Sequence, residues 1–89
     1  MNVRDALVKL VKIAVSTKKM DEAFINAGYA DTPYFFIYGN AVDAIYDIIG
    51  EKTATIDESI TFDAINNDSY TDKERVDMLM EEYERNVSA

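Results

Sequence analysis

The sequence predicts an all-α protein, a compact bundle of four to five helices in which the first helix is central. Apolar residues recur at helical spacing in several stretches. Thr32 followed by Pro33 has the residue types of a helix N-cap and the first helical position. Thr71-Asp72-Lys73-Glu74 is a second start signal, a capping box in which two side chains serve each other's backbone amides. At this length we expect residues 1–89 to form a single helical domain.

The first helix is predicted over residues 3–17. Its apolar side chains cover an arc of about 220° on a helical wheel, whereas a surface helix needs little more than about 100°. We therefore expect it to be surrounded by several neighbours or shared with a second subunit. A short second helix should follow over residues 18–27, and Gly28 suits the left-handed residue that ends a helix.

The third helix is predicted over residues 33–49, with Gly50 as its end and with Gly39 as a point where it could kink. Its predicted buried arc consists of Tyr34, Ile37, Tyr38, Ala41, Ala44, Ile45, Ile48 and Ile49. Residues 34–38 also have the strongest strand propensity in the chain. An α+β fold, in which a minor two-stranded element pairs residues 34–38 with residues 59–65, is therefore a second interpretation.

Residues 51–70 follow neither the helical nor the strand period cleanly. Thr55-Ile56-Asp57-Glu58 fits a capping box, so we expect one or two short helical turns there. Ile60, Phe62 and Ile65 are predicted to fill the core. The last helix begins at its own capping box and carries a narrow apolar stripe made of Val76, Leu79, Met80, Tyr83 and Val87.

The composition argues against catalysis. The chain has no Cys and no His, which removes thiol chemistry, the commonest metal ligand and the commonest general base. Its three glycines are isolated, so no phosphate-binding loop is present. Neighbouring carboxylates such as Asp43 and Asp47 are typical of a solvated helix face. We expect a non-enzymatic protein without a cofactor, a metal or a small-molecule substrate.

The net charge of the chain limits the kinds of partner that it is expected to bind. The net charge is −8, which opposes direct contact with nucleic acid or an anionic membrane surface. No apolar run is long enough for a signal peptide or a membrane span. We expect a cytoplasmic protein.

One candidate interaction surface comes from the third helix. If that helix is continuous, Phe36 projects onto its polar face together with Asn40, Asp43 and Asp47. An exposed aromatic residue among polar groups is typical of an interface anchor. In the other interpretation, neighbouring helices cover Phe36. The leading hypothesis is a small acidic module that binds a protein partner or a second copy of itself.

A second candidate is the outer face of the last helix, where Glu74, Asp77, Glu81 and Glu84 lie in a row about 15 Å long. Such a row can imitate a phosphate backbone and occupy the basic groove of a nucleic-acid enzyme. An acidic inhibitor of the phage or mobile-element type is therefore the alternative hypothesis. A charged outer face is also what any solvated helix presents.

Overall fold

The computed structural model describes residues 2–52 and 55–88, and these residues form four α-helices and one short 3-10 turn. The helices are α1 (Val3–Asn26), α2 (Pro33–Ile49), α3 (Ile60–Asn66) and α4 (Asp72–Ser88), with the turn at Ile56–Glu58. No strand occurs among the described residues. The all-α prediction is therefore confirmed, and the alternative two-stranded element is wrong because residues 34–38 and most of residues 59–65 are helical.

The helix α1 is longer than predicted, because the expected break between residues 17 and 18 does not occur. Neither glycine nor proline interrupts this stretch. The hydroxyls of Ser16 and Thr17 donate to carbonyls one turn back, at Lys12 and Ile13, and so stay within the helix. The helix ends where predicted: Gly28 adopts φ +100°, and Tyr29 N–H donates to the Phe24 carbonyl in a Schellman motif.

The helix α2 has the predicted ends. Thr32 caps its first turn by accepting from the Phe35 amide, Pro33 opens it, and Gly50 ends it in the left-handed conformation. The Asn86 side chain donates to the Ile49 carbonyl at 2.7 Å, which satisfies one of the exposed acceptors at this end. The helix is continuous through Gly39, so the break that the sequence allows there does not occur.

Gly39→Ala is expected to raise the free energy of unfolding by about 0.5–1 kcal/mol. The backbone at Gly39 is helical, and an added Cβ meets no atom within 4 Å. Alanine therefore gains helix propensity without a clash. Urea unfolding followed by circular dichroism measures the change. Gly50→Ala is the opposing control, because φ +68° makes any Cβ there strained.

Residues 51–70 fold differently from the predicted capping box. Thr55 makes no side-chain cap, and the first turn of α3 is capped by Ser59, which accepts from the Phe62 amide at 3.0 Å. The Glu51 carboxylate, from the segment after α2, accepts hydrogen bonds from the Ile60 amide and from the Thr61 hydroxyl at 3.0 Å. Positions 53 and 54 of this segment lie outside the described residues.

The inward face of α3 consists of Thr61, Ala64 and Ile65, which recur at helical spacing. Phe62 falls off this face and is 41% exposed, so the prediction that it fills the core is wrong. Ile65 does lie in the core, and Ile60 is half-buried against it.

The core lies at one end of α1 and α2. The helix α1 packs against each of the other three helices, with its largest contact on α2, so its predicted central place is confirmed. Ile37 of α2 and Val87 of α4, which the sequence places on buried faces, are exposed. The described residues extend 46 × 28 × 23 Å. The buried apolar side chains are Leu7, Val11, Ala14, Ala41, Ile45, Ile49, Ala64, Ile65, Val76 and Leu79.

Arg75 is buried although it is charged. Its Nη1 donates to the carbonyls of Ala64 at 3.2 Å and Asn67 at 3.1 Å, at the C-terminal end of α3. These carbonyls have no partner within α3. Asp72 lies 3.7 Å from Nε of Arg75 and supplies the opposite charge. Arg75 thereby ties α4 to α3.

Candidate interaction surface at the hairpin end

The α1–α2 hairpin extends beyond the core. We call residues 18–38 the hairpin end. Within it only Thr32 is buried, whereas the α1 residues before it and the α2 residues after it supply much of the core. The last links to the rest of the fold are an ion pair of Lys18 with Asp68 at 3.6 Å and a hydrogen bond of Tyr38 with Asn66. In the described part of the chain, residues 19–37 make no hydrogen bond or ion pair with α3 or α4.

The hairpin end is held together by its own contacts. The Phe24 ring lies between Tyr29 and Tyr34, with ring centroids 5.5 and 5.6 Å apart. The buried Thr32 hydroxyl donates to Oδ1 of Asp21 at 2.7 Å and so joins the start of α2 to α1. Aromatic packing and a buried hydrogen bond stabilise a defined local conformation. The end is therefore an ordered projection.

Large apolar side chains lie on its surface. Phe36 is 69% exposed and Phe35 is 58% exposed, and their rings pack edge to face with centroids 6.0 Å apart. Ile25 is 50% exposed. Neighbouring helices therefore leave Phe36 uncovered, because it lies on the face of α2 opposite the buried Ala41, Ile45 and Ile49. Exposed aromatic residues grouped in this way are typical of a contact surface.

A cleft of about 320 Å³ opens between α1 and α2 at this end, and we call it the distal cleft. It is lined by Asp21, Ile25, Ala30, Asp31, Thr32, Phe35 and Phe36. Apolar walls and two carboxylates thus share one small opening. No motif or spacing in the sequence marks Asp21, Asp31 or Ile25 as part of a site. Only the hairpin geometry brings these residues of α1 and of the loop next to Phe36.

The predicted polar surface on α2 continues from this cleft. Phe36, Asn40, Asp43 and Asp47 follow at helical spacing and are all exposed. The distance along the helix from the first to the last is about 17 Å. Asn40, Asp43 and Asp47 make no side-chain hydrogen bond or ion pair with any other described residue, so their polar groups remain open to solvent or to a partner.

The predicted acidic face of α4 is partly engaged within the molecule. Oε1 of Glu74 accepts from the Thr71 amide while Glu74 N–H donates to the Thr71 hydroxyl, which is the predicted capping box. The hydrogen bond from the Thr71 amide, and then the Thr71 side chain, hold the pKa of Glu74 below its ordinary value. Hydrogen bonds from Lys73, at 2.7 Å, and from Arg4, at 2.6 Å, likewise lower the pKa of Asp77.

The Asp77 carboxylate therefore lies beside two cations, and the Glu74 carboxylate accepts a hydrogen bond in the capping box of its own helix. Glu81 and Glu84 are exposed on the same helix and form no ion pair with a described residue. Of the four carboxylates in the row, only those of Glu81 and Glu84 have no partner among the described residues. Its negative field is accordingly weaker than the sequence suggests.

A larger groove of about 510 Å³ runs along the 3-10 turn and α3. It is open, and its lining combines the acidic side chains of Asp57, Glu58 and Asp63 with the exposed apolar side chains of Ile56 and Phe62. Asp63 accepts a hydrogen bond from the Tyr70 hydroxyl, which together with burial raises the pKa of Tyr70. The groove lacks the grouped aromatic residues of the distal cleft.

Across residues 2–52 and 55–88, acidic side chains nowhere form a group of three that could hold a metal ion. Over the same residues, no helix combines the length and the apolar character that crossing a bilayer requires.

Comparison of the chain with protein-family models, with curated proteins and with solved structures finds no match in any of the three.

Proposed function

We propose that this protein is a non-enzymatic interaction module of the cytoplasm that binds a protein partner through the hairpin end, with Phe36 as the anchor. The observation that carries the proposal is the exposure of Phe36 and Phe35, side by side, on an ordered projection that lies outside the core. Burying a side chain of this size in a partner contributes about 2 kcal/mol or more of binding free energy.

The chemistry of the chain supports a binding role over catalysis. Catalytic acids and bases need desolvated and unequal environments. Of the carboxylates of the distal cleft, Asp31 is exposed to solvent and Asp21 accepts a hydrogen bond from Thr32, and no imidazole or thiol exists to work with them. The surface is therefore suited to recognition.

The alternative function, imitation of a phosphate backbone by Glu74, Asp77, Glu81 and Glu84, has less support. The Asp77 charge is compensated by Arg4 and Lys73, and the Glu74 carboxylate accepts from the Thr71 amide. A mimic needs an uncompensated row of charges, because it is held by attraction between its carboxylates and the cations of a basic groove.

Photocrosslinking from position 36 tests the proposal. A photoreactive phenylalanine analogue replaces Phe36 in cells that produce the protein, and the same analogue at Val87 is the control. Both side chains are more than 60% exposed, and Val87 lies at the far end of α4. We expect a discrete crosslinked protein from position 36 and none from position 87.

The captured protein is then measured against substituted chains. Phe36→Ala is expected to weaken its affinity about 30-fold or more, which is what truncation of an interface anchor costs. Val87→Ala should leave affinity unchanged, and the free energy of unfolding should move by less than about 0.5 kcal/mol in both variants. Equal affinity for both variants would refute the assignment of Phe36 as anchor.

A further inference from the structure

The charge around Phe36 is uncompensated. The ion pairs of the described residues join Arg4 and Lys73 to Asp77, Lys18 to Glu22 and Asp68, Arg75 to Asp72, and Arg85 to Glu82. No cation in that part of the chain pairs with Asp21 or Asp31 in the distal cleft, or with Asp43 or Asp47 along the outer face of α2. Each of these four carboxylates lies either beside Phe36 or on its helix face.

The distal cleft has two features, an apolar wall and negative charge, that suit one kind of ligand. Ile25, Phe35 and Phe36 offer an apolar wall, and the exposed Asp31 offers negative charge within the same opening. Asp21, whose Oδ1 accepts from the Thr32 hydroxyl, adds a second carboxylate there. Arginine and lysine side chains have an aliphatic stem and a cationic head, so they satisfy both. Arginine additionally stacks on aromatic faces.

From this complementarity, and resting on the proposed function, we infer that the partner is a basic segment of another protein. A cationic side chain of that segment, flanked by apolar residues, enters the distal cleft. Further cationic residues two and three turns away lie along Asp43 and Asp47 on α2.

Two observations favour a short basic segment over a second copy of this chain. Seven residues line the cleft, whereas a stable interface between globular chains uses about 20–30 residues on each side. Two copies that each carry a net charge of −8 also repel one another, while a cationic segment is attracted.

The test uses a fluorescent helical peptide of about 16 residues built from leucine, arginine and alanine, which spans about 24 Å. One control peptide has glutamate in place of arginine, and another has serine in place of leucine. Binding to the full chain is followed by fluorescence anisotropy, and the contact residues by amide chemical shifts. We expect saturable binding of the leucine–arginine peptide alone, with shifts confined to residues 21–47.

Substitutions assign the binding to the cleft. Asp31→Asn is expected to weaken binding about tenfold, which is the effect of losing one charge-assisted contact. Phe36→Ala should weaken it at least as much. Glu84→Gln removes the same charge from exposed α4 and should change affinity less than twofold, so general attraction to an acidic chain is separated from a site.

Each contrary result has a definite meaning. Equal binding of the glutamate peptide, or equal effects of Asp31→Asn and Glu84→Gln, would overturn the basic-segment inference and leave the role of Phe36 to the crosslinking result. Absence of any peptide binding would overturn it as well. A dimer in sedimentation that Phe36→Ala dissociates would identify a second copy as the occupant instead.

Discussion

Arg75→Ala is expected to lower the free energy of unfolding by about 3 kcal/mol. The substitution removes the donors for the carbonyls of Ala64 and Asn67, at 3.2 and 3.1 Å, and leaves a cavity between α3 and α4. A buried acceptor without a partner costs about 1–3 kcal/mol, and the lost packing adds to it. Urea unfolding followed by circular dichroism gives the difference.

Two further variants separate the effect of the lost hydrogen bonds from that of the lost packing and of the lost charge. Arg75→Met keeps most of the side-chain volume but donates nothing, so we expect a loss of about 2 kcal/mol. Most of it comes from the Ala64 carbonyl, because the Asn67 carbonyl also accepts from the Tyr70 amide at 3.4 Å. Arg85→Ala is the matched control on the same helix, because Arg85 is exposed and its ion pair with Glu82 is worth less than about 1 kcal/mol. If Arg75→Met were as stable as the natural chain, the link between α4 and α3 would not depend on these hydrogen bonds.

Glu51→Ala is expected to lower the free energy of unfolding by about 2–3 kcal/mol. Its carboxylate accepts from the Ile60 amide, from the Ser59 hydroxyl at 3.1 Å and from the Thr61 hydroxyl at 3.0 Å. Ser59 and Thr61 are buried, so water does not readily replace the lost acceptor. The Tyr46 hydroxyl, which donates to Ser59 at 2.5 Å, belongs to the same network.

Glu58→Ala is the control for this prediction. Glu58 is the acid of the capping box predicted from the sequence, yet it is exposed and its side chain forms no hydrogen bond with a described residue. Its substitution should change stability by less than about 0.5 kcal/mol. A larger loss for Glu58→Ala than for Glu51→Ala would contradict the observed cap and favour the predicted one. Glu51→Gln, which keeps an acceptor without the charge, should fall between the two.

The helix ends were predictable because their causes are local. Thr32 with Pro33, the Thr71–Glu74 box, and the glycines at 28 and 50 act within one turn of the backbone, and each lies where the sequence predicts it. Residues 51–70 were harder to predict because a contact between distant residues helps to fix their structure. Thr55 and Glu58 have the spacing of a cap, but Glu51 reaches the helix from nine residues before Ile60. No spacing rule covers that contact.

The candidate site likewise has one part that helical spacing predicts and another that depends on the folded structure. Helical spacing alone places Phe36, Asn40, Asp43 and Asp47 on one face of α2. Whether Phe36 is covered depends on which faces of α2 the other helices contact, which periodicity does not contain. Asp21 and Asp31 come from outside α2, so only the folded hairpin joins them to Phe36 in one cleft.

The sequence by itself determined the helical class, most of the helix ends and the absence of imidazole and thiol chemistry, because these follow from residue type and short-range spacing. The tertiary structure decided which side chains the core takes in. It buries Arg75 against the end of α3 and leaves Phe35 and Phe36 in solvent. Burial depends on which helix faces meet, and that is a property of the packed chain rather than of any one segment.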